Sequence, residues 1–112
     1  MKIRQREIGD VVVLDVNGRI LGGPDSELFL ETIRSLAAGG TRKVLINLQD
    51  VAWINSTGLG TLIAAFTELQ KSGGRLKLVG VSPRIESVLN VTKLSSIFES
   101  FPQEEEAIRS FV

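Results

Sequence analysis

The sequence predicts an α/β fold: a single domain spanning residues 1–112, a mostly parallel mixed sheet with an N-terminal antiparallel hairpin, and about four helices. Three observations predict it. Two strand-like runs joined by Gly9-Asp10 open the chain as a hairpin. After them, short apolar runs alternate with segments of helical apolar spacing, the pattern of parallel strands joined by crossover helices. With 43% hydrophobic residues and no cysteine, a chain of 112 residues builds its core without disulfides.

The elements follow in order. Ile3 to Ile8 alternates loosely, and Val11 to Val16 is a β-branched run closed by Asn17-Gly18, residues that accept positive φ. Leu21 to Ser26 is a loop opening a helix, with Asp25 or Ser26 as its cap. Leu28, Phe29, Ile33, Leu36 and Ala37 form that helix's inner face, and Gly39-Gly40 stops it. Val44 to Leu48 reads as a buried central strand, followed by Asp50 to Ile54 and the loop Asn55 to Gly58. Leu59, Leu62, Ile63, Phe66 and Leu69 mark an amphipathic helix that ends at Ser72-Gly73-Gly74. Arg75 to Val81 alternates as a strand. Ser82 then caps a helix with Pro83 in its first turn and Ile85, Val88 and Leu89 inside. Ile97-Phe98 is read as a last short strand, and Glu104 to Glu106 open a C-terminal helix at its positive end. Trp53 is expected in the core; Lys71, Arg75 and Lys77 are expected to be solvated.

Composition excludes several chemistries. Without histidine or cysteine there is no Ser-His-Asp hydrolase, thiol nucleophile or cysteine metal site. No carboxylate pair has an acid/base spacing, and the consecutive Glu104 to Glu106 cannot converge on one ion. Thirteen basic against thirteen acidic residues argue against nucleic acid as the main partner. The longest uncharged stretch, Val51 to Thr67, is too polar and short to cross a bilayer, and the N-terminus lacks a signal-peptide core. A cytoplasmic, non-enzymatic binding module is expected, with no cofactor, no metal and no membrane insertion.

The informative segment is Asn55-Ser56-Thr57-Gly58-Leu59-Gly60. Ser56 or Thr57 falls at or next to the helix N-cap, with glycines that let helix and sheet approach. That hydroxyl is either a plain cap or one displayed where free N–H groups and the helix dipole favour an added phosphate. The loop Gly22-Gly23-Pro24-Asp25 lacks the ending of a P-loop and is not a dinucleotide fingerprint. Together with the Ser56 helix start it nevertheless suggests a small nucleotide- or anion-binding domain as another reading.

The run from Val44 to Leu62, with Asn55-Ser56-Thr57-Gly58-Leu59-Gly60 at its centre, resembles the signature of STAS domains of the anti-sigma factor antagonist type. Arg75 to Pro83, Val88 to Phe98 and the acidic start of the last helix are similar to the family's later portions, so the resemblance covers residues 2 to 112. It implies a STAS-like fold and a partner switch. The unphosphorylated domain binds a serine kinase/anti-sigma factor of the histidine-kinase-like ATPase fold and frees a sigma factor. The kinase phosphorylates a serine of the motif, the pair separates, and a metal-dependent phosphatase resets it. By position the acceptor is Ser56, with Thr57 secondary, and Gly22, Gly23, Asn55, Ser56, Thr57, Gly58 and Leu59 form the partner surface. Replacing Gly22 and Gly23 with bulkier residues is expected to weaken binding and leave folding intact. The sequence departs from the family at Asn55, where phosphorylatable members usually carry Asp. The alternative is a non-switching STAS subunit, such as the cytoplasmic partner of a lipid-transport ABC ATPase or a component of a signalling complex.

Overall fold

Gly9, at φ +62°, turns the chain between β1 (Lys2–Ile8) and β2 (Val11–Ile20), an antiparallel pair. The computed structural model describes all of residues 1–112. From β2 the chain passes through α1 (Pro24–Ala38) to β3 (Lys43–Ile54), through α2 (Ser56–Lys71) to β4 (Arg75–Val79), and through α3 (Pro83–Val91) and a 3-10 turn (Leu94–Ser96) to β5 (Ser100–Phe101) and α4 (Glu104–Arg109). The strands lie in sequence order, with β2 to β5 parallel. The predicted α/β architecture, hairpin and four helices are therefore present.

Alternation along the strands gives the sheet two different faces. Val12, Leu14, Val44, Ile46, Leu76 and Leu78 join Phe29 and Ile33 of α1, Leu62 and Leu69 of α2, and Ile85 and Leu89 of α3 in a cluster of 20 buried residues. The intervening Val11, Val13, Leu45 and Val79 meet Ala107 and Phe111 at the α4 end in a cluster of six. Beside that smaller cluster the face is polar. The Arg6 guanidinium donates to Asp15 from Nε (2.6 Å) and Nη2 (2.9 Å) and to Glu104 from Nη2 (2.6 Å), while Asn47 Nδ2 donates to Asp15 at 2.9 Å. Hydrogen bonding to Arg6, helped by Asn47, holds the Asp15 carboxyl below its usual range.

Several local expectations are corrected. β2 does not end at Asn17-Gly18. Register shifts between Asp15 and Arg19 absorb these residues, with Gly18 at φ +115°, and pairing with β3 resumes to Ile20. β3 runs unbroken to Ile54 because β2 continues to pair with it after β4 has left at Asn47. Ile97-Phe98 is not a strand: both N–H groups donate to Leu94 O, and Phe98 is buried against the edge of the Phe66 ring. The last strand is Ser100–Phe101, paired with Leu78 and Val79. Neither Asp25 nor Ser26 caps α1. Gly23 occupies that position without a side-chain cap, and the Ser26 hydroxyl is buried, accepting from Thr61 Oγ1 at 2.8 Å. Lys77 is only 3% exposed, not solvated. Its Nζ donates to Ser110 O and Oγ, both at 2.9 Å, with the Glu99 carboxylate at 3.4 Å and the Phe101 and Phe111 rings beside it. A long apolar stem with a satisfied ammonium is how a lysine tolerates burial.

Candidate functional site

In a parallel sheet every strand-to-helix connection lies at the same end. The loop Leu21 to Gly23, Asn55, and the Gly80 to Ser82 connection into α3 are therefore neighbours by topology. Asn55 organises the centre. Its backbone is extended (φ −101°), its Oδ1 accepts from Gly58 N at 2.8 Å, and its carbonyl accepts from Leu59 N at 2.9 Å, so Asn55 itself is the N-cap of α2. Ser56 is its neighbour, the first residue of the helix and exposed; neither Ser56 nor Thr57 is the cap. Asn outcompetes them because its longer side chain accepts from Gly58 while Nδ2 donates to Leu21 O at 3.2 Å. Its own N–H donates to Ile20 O at 3.3 Å. An aspartate could make the first of the side-chain bonds and not the second. Asn55 thus ties the loop after β2 to the start of α2.

The two motif glycines differ. A Cβ on Gly58 would lie 2.0 Å from Ile20 O, so the helix approaches β2 only through glycine, whereas Gly60 faces open space. Gly58 and Leu59, both expected on the partner surface, are instead buried: Gly58 packs on β2 and Leu59 anchors the first turn from beneath. The Gly22-Gly23 loop does adjoin this turn, since a Cβ on Gly22 would lie 2.4 Å from the Thr57 methyl. Both glycines have positive φ (+94° and +71°), so bulkier residues strain the backbone and do not leave folding untouched. The Thr61–Ser26 hydrogen bond joins α1 to α2 just behind the site.

The electrostatics single out α2. The first turns of α1, α3 and α4 carry Asp25 and Glu27, Glu86, and Glu104 to Glu106; the first turn of α2, a helix of 16 residues, carries no acid. The positive end of its dipole is uncompensated, and Asn55 satisfies the N–H of Gly58 alone. Trp53, expected in the core, is half-buried at the end of β3, with the Arg84 guanidinium 4.9 Å from its ring centroid. Sequence reasoning passed over Arg84. A basic residue in the first turn of a helix, where the dipole disfavours it, was the available signal. No three acidic residues are placed to hold a metal ion, and no helix is long and apolar enough to cross a membrane.

A family model described as the STAS domain matches residues 2–107. The chain belongs to the STAS domain family. Among curated relatives, anti-sigma-B factor antagonists match it at 31% identity over 67 residues in Staphylococcus aureus (60% of this chain, 62% of the relative). The Bacillus subtilis protein of the same description matches at 34% over 64 residues (57% and 59%). The chain thus spans about three-fifths of the length of the curated relatives it matches. Among solved structures, a candidate anti-sigma factor antagonist from Thermotoga maritima superposes with a TM-score of 0.88 at 27% identity, covering 96% of this chain and 92% of that one. The phosphorylated form of the Bacillus cell fate determinant SpoIIAA gives 0.76 at 21% identity, covering 99% and 100%. That second likeness is one of fold. The STAS-like architecture expected from the sequence is the one present.

Proposed function

We propose that this STAS domain is an anti-sigma factor antagonist working in the cytoplasm as a partner switch, with Ser56 as the phosphate acceptor. The observation that carries the reading is the exposed Ser56 hydroxyl on the first residue of α2, the one helix whose first turn holds no acid of its own. Similarity to the anti-sigma-B factor antagonists supports it. Thr57 is the secondary candidate; its methyl already lies against Gly22.

In the unphosphorylated state the Gly22-Gly23 loop and the first turn of α2, from Asn55 to Thr57 over the buried Gly58 and Leu59, receive the partner. That partner is a kinase/anti-sigma factor of the histidine-kinase-like ATPase fold. Ser56 Oγ takes the γ-phosphoryl group of the partner's ATP, its proton passes to the kinase, and ADP leaves. The phosphate brings about −1.5 to −2 charges to the docking face. Free N–H groups and the helix dipole stabilise it where it stands, so the domain need not refold. The partner, fitted to a neutral hydroxyl, is expelled. Hydrolysis by a metal-dependent phosphatase restores the first state.

The test is a mass spectrum of the protein purified from its native cells, with Ser56→Ala as control. One phosphate mapped to Ser56 and lost in the variant is the expected result. A wild-type chain that stays unmodified even in native-cell extract with MgATP sinks the switch. The bracing of loop and helix by Asn55 would then favour the second reading, a non-switching STAS subunit of a transport ATPase or signalling complex using the same surface as a fixed contact.

A further inference from the structure

We infer that Trp53 and Arg84 form a second contact point for the partner, and that it receives an acidic side chain. The inference rests on the functional reading above and adds the chemistry of the partner. Trp53 is the penultimate residue of β3, two residues before Asn55, and Arg84 is in the first turn of α3, so both belong to the end of the sheet that carries Ser56. Arg84 is exposed and pairs with no carboxylate of its own chain, although 13 acidic residues are available. Its place is unfavourable for a cation, because the N-terminal turn of a helix is the positive end of its dipole. Attraction to the face of the Trp53 ring, 4.9 Å away, holds it there.

The ring contact holds the guanidinium from one side, and none of its N–H groups donates within the chain, so they are free to take a carboxylate through two parallel hydrogen bonds. Trp and Arg are both among the residue types enriched where binding energy concentrates in protein interfaces. Arg84 and the exposed Arg19, which pairs with Trp53 in the β2–β3 register, place two cations at this point of a chain of zero net charge; that matches an acidic side chain, whereas a nucleic-acid backbone demands a row of cations. The occupant is therefore an Asp or Glu on the kinase/anti-sigma factor that phosphorylates Ser56.

The test follows Ser56 phosphorylation by mass spectrometry in native-cell extract with MgATP, over a range of concentrations of the full chain. Arg84→Glu should raise KM by about tenfold or more with kcat unchanged, because a reversed charge acts on docking. Arg84→Gln should raise it less, Trp53→Phe should stay near wild type, and added salt should narrow the gap between wild type and Arg84→Glu. Melting temperatures of the Arg84 variants should be no lower than wild type, because the change relieves the unfavourable dipole, and this separates docking from folding. A wild-type KM in Arg84→Glu overturns the inference and leaves the switch standing, as does a loss confined to kcat. Absence of phosphate on the wild type overturns the functional reading, and this inference with it.

Discussion

On one face of the sheet 20 buried residues pack beneath α1, α2 and α3; on the other, six lie at the α4 end beside the charged network of Arg6, Asp15, Asn47 and Glu104. The cause is topological. Short crossovers of one hand put every connecting helix on the same side, so the second face has only the chain's last six-residue helix to cover it. A parallel sheet exposed on one side must fill that side with paired polar groups. The first face is therefore held by non-directional burial, which tolerates pH and salt. The second is held by a few oriented contacts, among them Arg6 to Glu104 and Lys77 to Ser110 at either end of α4, which do not.

The comparison can be broken most severely within one strand. Ile46 and Leu45 are adjacent, both fully buried, and face opposite clusters. Ile46→Ala should cost about 2–5 kcal/mol in urea unfolding. Leu45→Ala should fall near the bottom of that range, because the smaller cluster collapses more easily around the cavity; equal losses would show that the two faces are packed alike.

A smaller effect sharpens the contrast. The Asp15 carboxyl is held below its unfolded value by hydrogen bonding to Arg6. The stability this supplies is present above about pH 4 and is lost as pH falls through the folded-state pKa. Asp15→Asn should therefore be less stable than wild type by about 1–2 kcal/mol at neutral pH, with the gap closing in acid. A gap independent of pH would assign the role of Asp15 to packing. The smallest effect is expected at Gly60, exposed in a helix with open space around it. Gly60→Ala should stabilise the free domain by about 0.5–1 kcal/mol, read as a higher midpoint in the same unfolding assay.

The element order was legible because the apolar period switches cleanly between 2 and 3.6 along the chain. What was not legible depends on partners distant in sequence. Asn17-Gly18 has the chemistry of a strand end, yet β3 keeps pairing beyond it. Lys77 has the alternation of a solvated strand residue until Ser110, 33 residues later at the end of α4, folds over it. At the site, Ser56 and Thr57 are good caps by type, but Asn55 alone reaches both Gly58 and Leu21, a choice made by the loop from β2. The motif located the start of α2. Which residue braces it and which is left facing outward was decided by tertiary geometry.

The contact between Arg84 and Trp53 also has an optical consequence. With one tryptophan and no tyrosine, emission excited to the red of the phenylalanine band comes from a single ring, placed three residues from Ser56 with a cation against its face. Anything that draws the guanidinium away or dehydrates the ring changes the colour and yield of that emission. The domain thus carries an intrinsic reporter of the Trp53–Arg84 contact, readable in stopped flow without a label.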